Sequence, residues 1–239
     1  MKDNFSTQSD DYAKFRPVYS QKLIDFLLSL TNHEVCWDCG TGNGQLAVAL
    51  AESFANVQAT DISEKQLENA SQRSNIEYSK KPAEKTNFPD NFFDLVTVAQ
   101  AAHWFDHKAF NEEVKRVLKP EGALALFGYG LVQVDEELNP IIQSFYWDVT
   151  KPYWDPERDH IEARYETIPF PYEELEINEN FDIKSKMSLD QLTGYISTWS
   201  AVQHYKKANN QDPIEKLKSD LSQIWKEGKR EVTFLYSFG

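Results

Sequence analysis

Apolar positions along the first half of the chain follow two alternating rhythms. Residues 18–30, VYSQKLIDFLLSL, place Leu23, Ile24, Leu27, Leu28 and Leu30 at helical spacing, behind Pro17, which suits a first helical turn. Short apolar runs at 34–38, 57–61, 75–79, 93–98 and 122–128 predict five buried strands, with helical patterns at about 44–54, 63–72 and 108–118 between them. Strands alternating with helices imply a parallel sheet covered on both faces and joined by right-handed crossovers. After Phe127 the rhythm breaks, and prolines and aromatic rings crowd 140–172. Disordered segments are poor in aromatics, so this stretch predicts an ordered insertion rather than a linker. A further strand is expected at 181–187, helices at 188–208 and 212–226, and a last strand at 231–238, where EVTFLYSF alternates. That makes seven strands in all.

The most informative stretch is VCWDCGTGNGQ at 35–45. An apolar run meets Asp38, and Gly40, Gly42 and Gly44 follow at alternate positions before a helical pattern. Glycine permits backbone angles that side chains forbid and lets a ligand approach the main chain. A strand ending in such a loop and re-entering a helix forms a nucleotide-binding crevice in an open, Rossmann-like α/β sheet. A tight strand-to-helix turn without a ligand is the plain alternative. The G-x-G-x-G spacing departs from the dinucleotide fingerprint G-x-G-x-x-G, which disfavours a dehydrogenase. Asp61, at the end of the second strand, is placed to accept hydrogen bonds from ribose hydroxyls. Clustered basic residues for a polyphosphate are missing, as is the P-loop pattern, so a nucleoside without phosphates fits better.

With ATDIS at 59–63 and PAEKTNFPDNFFDLV at 82–96 added, the chain resembles the class I S-adenosylmethionine-dependent methyltransferases. DYAKFRPVY at 11–19, AAHWFD at 101–106, RVLKPEGALA at 116–125 and MSLDQLTGYISTWS at 187–200 are similar to the branch that includes trans-aconitate methyltransferase. The resemblance implies one methyltransferase domain over 1–239: an N-terminal lid at 5–19, a cofactor-binding core at 33–128, a cap and substrate insertion at 129–186, and C-terminal helices with the last strand at 187–239. It implies S-adenosylmethionine as cofactor, S-adenosylhomocysteine as product, and no metal. Asp38 and the 40–44 backbone would contact the methionine part, Asp61 the ribose and Ile62 the adenine. Ala83 would meet the adenine through its backbone, with Glu84 near the exocyclic amine. Gln100 and Ala101 would line the floor near the sulfonium. Pro82 departs from the commoner pattern and bears on the adenine contacts. In the lid, Arg16 would pair with the cofactor carboxylate, and Tyr12 and Tyr19 would face the sulfonium.

Composition narrows the partners. A net charge of −13 argues against a nucleic-acid substrate, which needs a basic footprint. Apolar runs long enough to span a membrane do not occur, and residues 1–10 lack a signal-peptide core, so a cytoplasmic protein is expected. Cys36 and Cys39 are the only cysteines, and their C-x-x-C spacing lacks a second ligand pair for zinc, which predicts a buried reduced pair. A monomer or a homodimer is compatible with the sequence.

Methyl transfer needs alignment rather than a dedicated nucleophile, and an ionised carboxylate acceptor needs no base. His103 is the candidate to deprotonate a hydroxyl or bond a carboxylate, with Tyr19 beside it as a second catalytic candidate; the bland reading of His103 is a loop-holding residue. Trp104, Trp147, Arg158 and Arg164 are the candidates for binding the acceptor. The leading expectation is methylation of a small molecule at a carboxylate or hydroxyl oxygen. A cofactor-binding or partner-binding module without catalysis is the alternative, in which the aromatic stretch forms a protein contact.

Overall fold

A computed structural model describes residues 17–238; Tyr12 and Arg16, and with them most of the expected lid, lie outside those residues. Ser20 caps α1 (Gln21–Ser29), its hydroxyl accepting from the Leu23 amide at 3.3 Å where the helical apolar pattern begins. Then come β1 (Val35–Cys39), α2 (Gln45–Leu50), β2 (Asn56–Asp61), α3 (Glu64–Glu68), β3 (Ile76–Lys80), β4 (Phe93–Ala99), α4 (His107–Val117) and β5 (Leu118–Tyr129). The strands lie in the order β3-β2-β1-β4-β5, all parallel. Side chains of period two sort onto the sheet's faces. Cys36, Leu95 and Phe127 join α1 and α2 in one apolar layer, while Trp37, Val96 and Leu126 join α4 in the other. Both cysteines are buried as free thiols, and burial pushes their pKa values up, so neither is a ready nucleophile.

The expected seventh strand does not join this sheet. β6 (Ile183–Met187) pairs with β7 (Arg230–Phe234) in a separate antiparallel ribbon. The run anticipated at 231–238 divides at Leu235, and only β8 (Tyr236–Phe238) reaches the main sheet, antiparallel to β5. The two halves follow different cores: Val232 and Phe234 are buried among cap side chains, whereas Phe238 packs on Phe127 with ring centroids 5.9 Å apart. Six strands form the central sheet.

After α5 (Asn139–Ser144) and α6 (Asp159–Glu162) come α7 (Leu189–Ser197), α8 (Ser200–Asn209) and α9 (Pro213–Trp225); the second core joins α5 with α7, α8 and α9, while Ile161 of α6 packs in the Trp37 layer with α4. A single helix was expected across 188–208, but it breaks at Thr198 and Trp199. The Thr198 hydroxyl donates to the Tyr195 carbonyl at 2.7 Å, and Trp199 turns extended. Its ring is buried against Tyr146 at 5.8 Å and Trp154 at 5.7 Å, which anchors the C-terminal helices to the cap. Burying a side chain of this size contributes about 2–3 kcal/mol.

Candidate active site

The order β3-β2-β1-β4-β5 reverses direction between β1 and β4, and a ligand crevice in such a sheet opens beyond the carboxyl ends of those strands. The end of β2 holds the two loops that follow β1 and β2. The Gly40 and Thr41 amides donate to the Thr60 carbonyl at 2.8 and 2.9 Å. Asp61 accepts from the Gly42 amide at 2.9 Å and from the Ser63 amide at 2.8 Å, so one carboxylate sets both the glycine loop and the turn into α3. Gly40, Gly42 and Gly44 all have left-handed φ, between 56° and 81°. Two of them also tolerate no side chain: a Cβ at Gly40 would lie 2.6 Å from Ala101 Cβ, and one at Gly44 2.2 Å from the Tyr78 hydroxyl. At Gly42 nothing lies within 4 Å, because it faces the crevice.

Asp38 lines the crevice floor although it is only 1% exposed. Thr41 and Thr97 hydroxyls donate to its two oxygens at 2.5 and 2.9 Å. Burial outweighs these bonds and raises its pKa to about 6, with the charge of Asp61 adding a smaller push. Asp94, at the opposite end of the sheet, is a strut. It accepts from the Val35 amide at 2.9 Å and from Lys119 at 2.8 Å, tying β1, β4 and β5 together.

The walls of the crevice include Tyr19, Ile62, Ala83, Gln100 and Ala101. Gly44 and Glu84 stand behind this wall: Gly44 is buried under Tyr78, and the Glu84 carboxylate accepts from the Asp106 amide at 3.1 Å, at the start of α4. Gln100 holds a left-handed φ of 57°, a conformation that costs a side-chain-bearing residue about 1 kcal/mol or more. β5 imposes it: the Gln100 amide donates to the Phe127 carbonyl at 2.9 Å and its side-chain amide to the Tyr129 carbonyl at 3.0 Å.

Gln100, Trp104 and Tyr129 also line a second chamber on the cap side. Trp154, Arg158, Tyr195 and Trp199 close it. Nothing in the apolar rhythm singled out Tyr129, Tyr195 or Trp199, since each reads equally well as core; only the break in the 188–208 helix brings the last two to this wall. His103 faces the chamber from the short turn Ala102–Trp104, with Nδ1 buried and lacking a partner among the described residues. Burial, then the nearby Arg158, His160 and His107, hold His103 well below the usual imidazole range, so it is neutral at physiological pH. Arg158 stacks on Trp154, 4.5 Å from the ring centroid, and its Nε donates to the Tyr146 hydroxyl at 3.2 Å. Trp147 and Arg164 do not reach the chamber. Trp147 is 51% exposed, and both residues border an outer groove beyond Arg158. Among the described residues no histidine, cysteine and carboxylate cluster could hold a metal ion.

Comparison with known proteins agrees with this geometry. A methyltransferase domain family matches residues 37–126, the crevice-bearing half of the sheet. The chain is 34% identical over 229 residues to a Dictyostelium discoideum protein named as a methyltransferase, covering 94% of this chain and 87% of that one. The solved structure of an Anaeromyxobacter dehalogenans protein, described as a type II methyltransferase, matches with a TM-score of 0.86 and 35% identity over 94% of this chain and 96% of that one. An uncharacterised methyltransferase of Mycobacterium tuberculosis is 35% identical over 125 residues, about half of each chain.

Proposed function

Because the chain belongs to the class I S-adenosylmethionine-dependent methyltransferases, we propose that it methylates an oxygen, carboxylate or hydroxyl, of a small molecule held in the cap-side chamber. The observation that carries this reading is the junction of crevice and chamber across Gln100, Trp104 and Tyr129. The crevice suits the cofactor. Its glycine cradle leaves open space above the main chain at Gly42, its acids lie at Asp38 and Asp61, and its basic residues are too few for a polyphosphate. Asp61 and Ile62 would hold the nucleoside, and Asp38 with the 40–44 loop the amino-acid end. When bound, S-adenosylmethionine supplies an electrophilic methyl group on a sulfonium.

The remaining work falls to the chain itself. Aromatic walls exclude water from the chamber and hold the acceptor against the junction, and alignment is the larger part of catalysis for such a displacement. A carboxylate arrives ionised. For a hydroxyl acceptor, neutral His103 has a buried nitrogen without a partner that can take the hydrogen bond, and then the proton. The test is a methyl-transfer screen over carboxylic acids, phenols and amines with S-adenosylmethionine as donor. Turnover confined to amines or to uncharged apolar compounds would refute the oxygen assignment.

A further inference from the structure

The chamber has two distinguishable ends. Gln100, Trp104 and Tyr129 form its border with the cofactor crevice. Arg158 and Ile161 form its border with the outer groove, which runs past Trp147 and Arg164. Arg158 therefore stands at the end remote from the methyl donor. It is built as a fixed cation: the guanidinium lies over Trp154, its Nε is held by Tyr146, and it makes no ion pair among the described residues. The terminal nitrogens of that planar fork match a carboxylate. Asp155, the acid on the same wall, lies 3.9 Å from His204 Nδ1. Two more donors or acceptors without a partner among the described residues, His103 Nδ1 and Trp154 Nε1, are buried in residues of the chamber wall.

We infer that the acceptor is two-ended: a nucleophilic atom meets the donor at the Gln100 border, and a separate anionic group, a carboxylate, rests on Arg158. The inference builds on the proposed methyl transfer but does not depend on which atom is methylated. Arg158 is on this account a specificity residue for the distal anion, and the reacting group never touches it. The apolar body between the two ends lies against Trp104, Trp154 and Trp199.

The test uses matched pairs sharing one ring: para-hydroxybenzoate and para-hydroxybenzamide, terephthalate and its mono-amide, para-aminobenzoate and para-aminobenzamide. Turnover by the full chain with S-adenosylmethionine should favour the distal carboxylate over the carboxamide by about ten- to a hundredfold in kcat/KM, the scale of one charge-assisted bond. Arg158→Gln should erase that preference, Arg158→Lys should retain part of it, and S-adenosylhomocysteine affinity should be unchanged in both, which controls for folding. Where a pair is not turned over, its calorimetric binding to the S-adenosylhomocysteine-loaded protein should show the same preference. Equal use of both members by the unaltered protein overturns the inference, as does an equal loss for both members in Arg158→Gln, or neither turnover nor binding of any distal carboxylate. If only the amine pair is methylated, with the anion preference intact, the oxygen assignment falls and the two-ended acceptor stands.

Discussion

Asp38 gives the sharpest handle on the cofactor site, because its protonation and ligand binding should be linked. In the ligand-free fold its pKa is about 6, some two units above an ordinary aspartate, and burial is the main cause. A raised pKa means that folding favours the protonated acid. The favourable contribution is complete below about pH 4 and is lost as pH rises through 6, a change of about 3 kcal/mol. On the proposed placement the cofactor's amino-acid end would reverse this preference, because an ammonium group beside Asp38 would stabilise the carboxylate. Affinity for S-adenosylhomocysteine should therefore be full above about pH 7 and fall by about tenfold near pH 5, with proton release near pH 6. Titration calorimetry in two buffers of different ionisation enthalpy measures both quantities. Asp38→Asn should bind more weakly at neutral pH, show no such pH dependence, and lose the decline in ligand-free stability between about pH 4 and 6. The reasoning fails if the unaltered protein binds equally well at both pH values, or if Asp38→Asn keeps the same slope.

Asp61→Ala should weaken S-adenosylhomocysteine binding by about 1.5–3 kcal/mol, and it should also lower the melting temperature, because the same carboxylate holds the Gly42 and Ser63 amides; calorimetry and thermal denaturation read the two losses separately. Gly44→Ala should destabilise the free protein by 2 kcal/mol or more, roughly, through its φ and its collision with Tyr78, with partial rescue by Tyr78→Phe. Gly42→Ala should instead cost about 1 kcal/mol of stability, because its neighbourhood is open, while weakening cofactor binding more strongly. For a hydroxyl acceptor the acid limb of the pH–rate profile should lie below the ordinary histidine value, since His103 is shifted down, and should vanish in His103→Asn. A carboxylate acceptor should give a rate nearly flat from about pH 6 to 8.

The crevice half of the fold was legible because its determinants are local. Three glycines, Asp38 and Asp61 lie within one strand–loop–helix–strand unit, and the backbone angles at 40, 42 and 44 are ones that a sequence can announce only through glycine. Strand and helix order from 18 to 128 followed from periodicity for the same reason. What escaped was non-local. Residues 181–187 and 231–238 carry strand patterns that fit either the main sheet or a ribbon, and the choice rests on Val232 and Phe234 joining the cap core. Asp94 and Asp61 are both acids in predicted strands. Their places in the predicted strands, last in 57–61 and near the start of 93–98, already set them apart, and the fold adds the partners: Asp94 holds Val35 and Lys119 at the amino ends, Asp61 the Gly42 and Ser63 amides in the crevice.

The acceptor half depends on side chains from four separate segments, around 100–104, 129, 154–158 and 195–199, none of which contains the chamber by itself. Aromatic content flagged the cap but could not sort its rings. Tyr146 is buried in the cap's own core, Trp147 is turned outward, Trp154 is a chamber wall, and Tyr165 is pressed against Gly128 on β5. The sorting follows from the cap packing on itself through Trp199 while touching the sheet mainly near Gln100 and Gly128. Substitutions in the chamber can therefore change which acceptor is taken while leaving the cofactor loops intact. The likeness of this chain to its relatives over 37–126 accordingly bears on the cofactor more directly than on the acceptor.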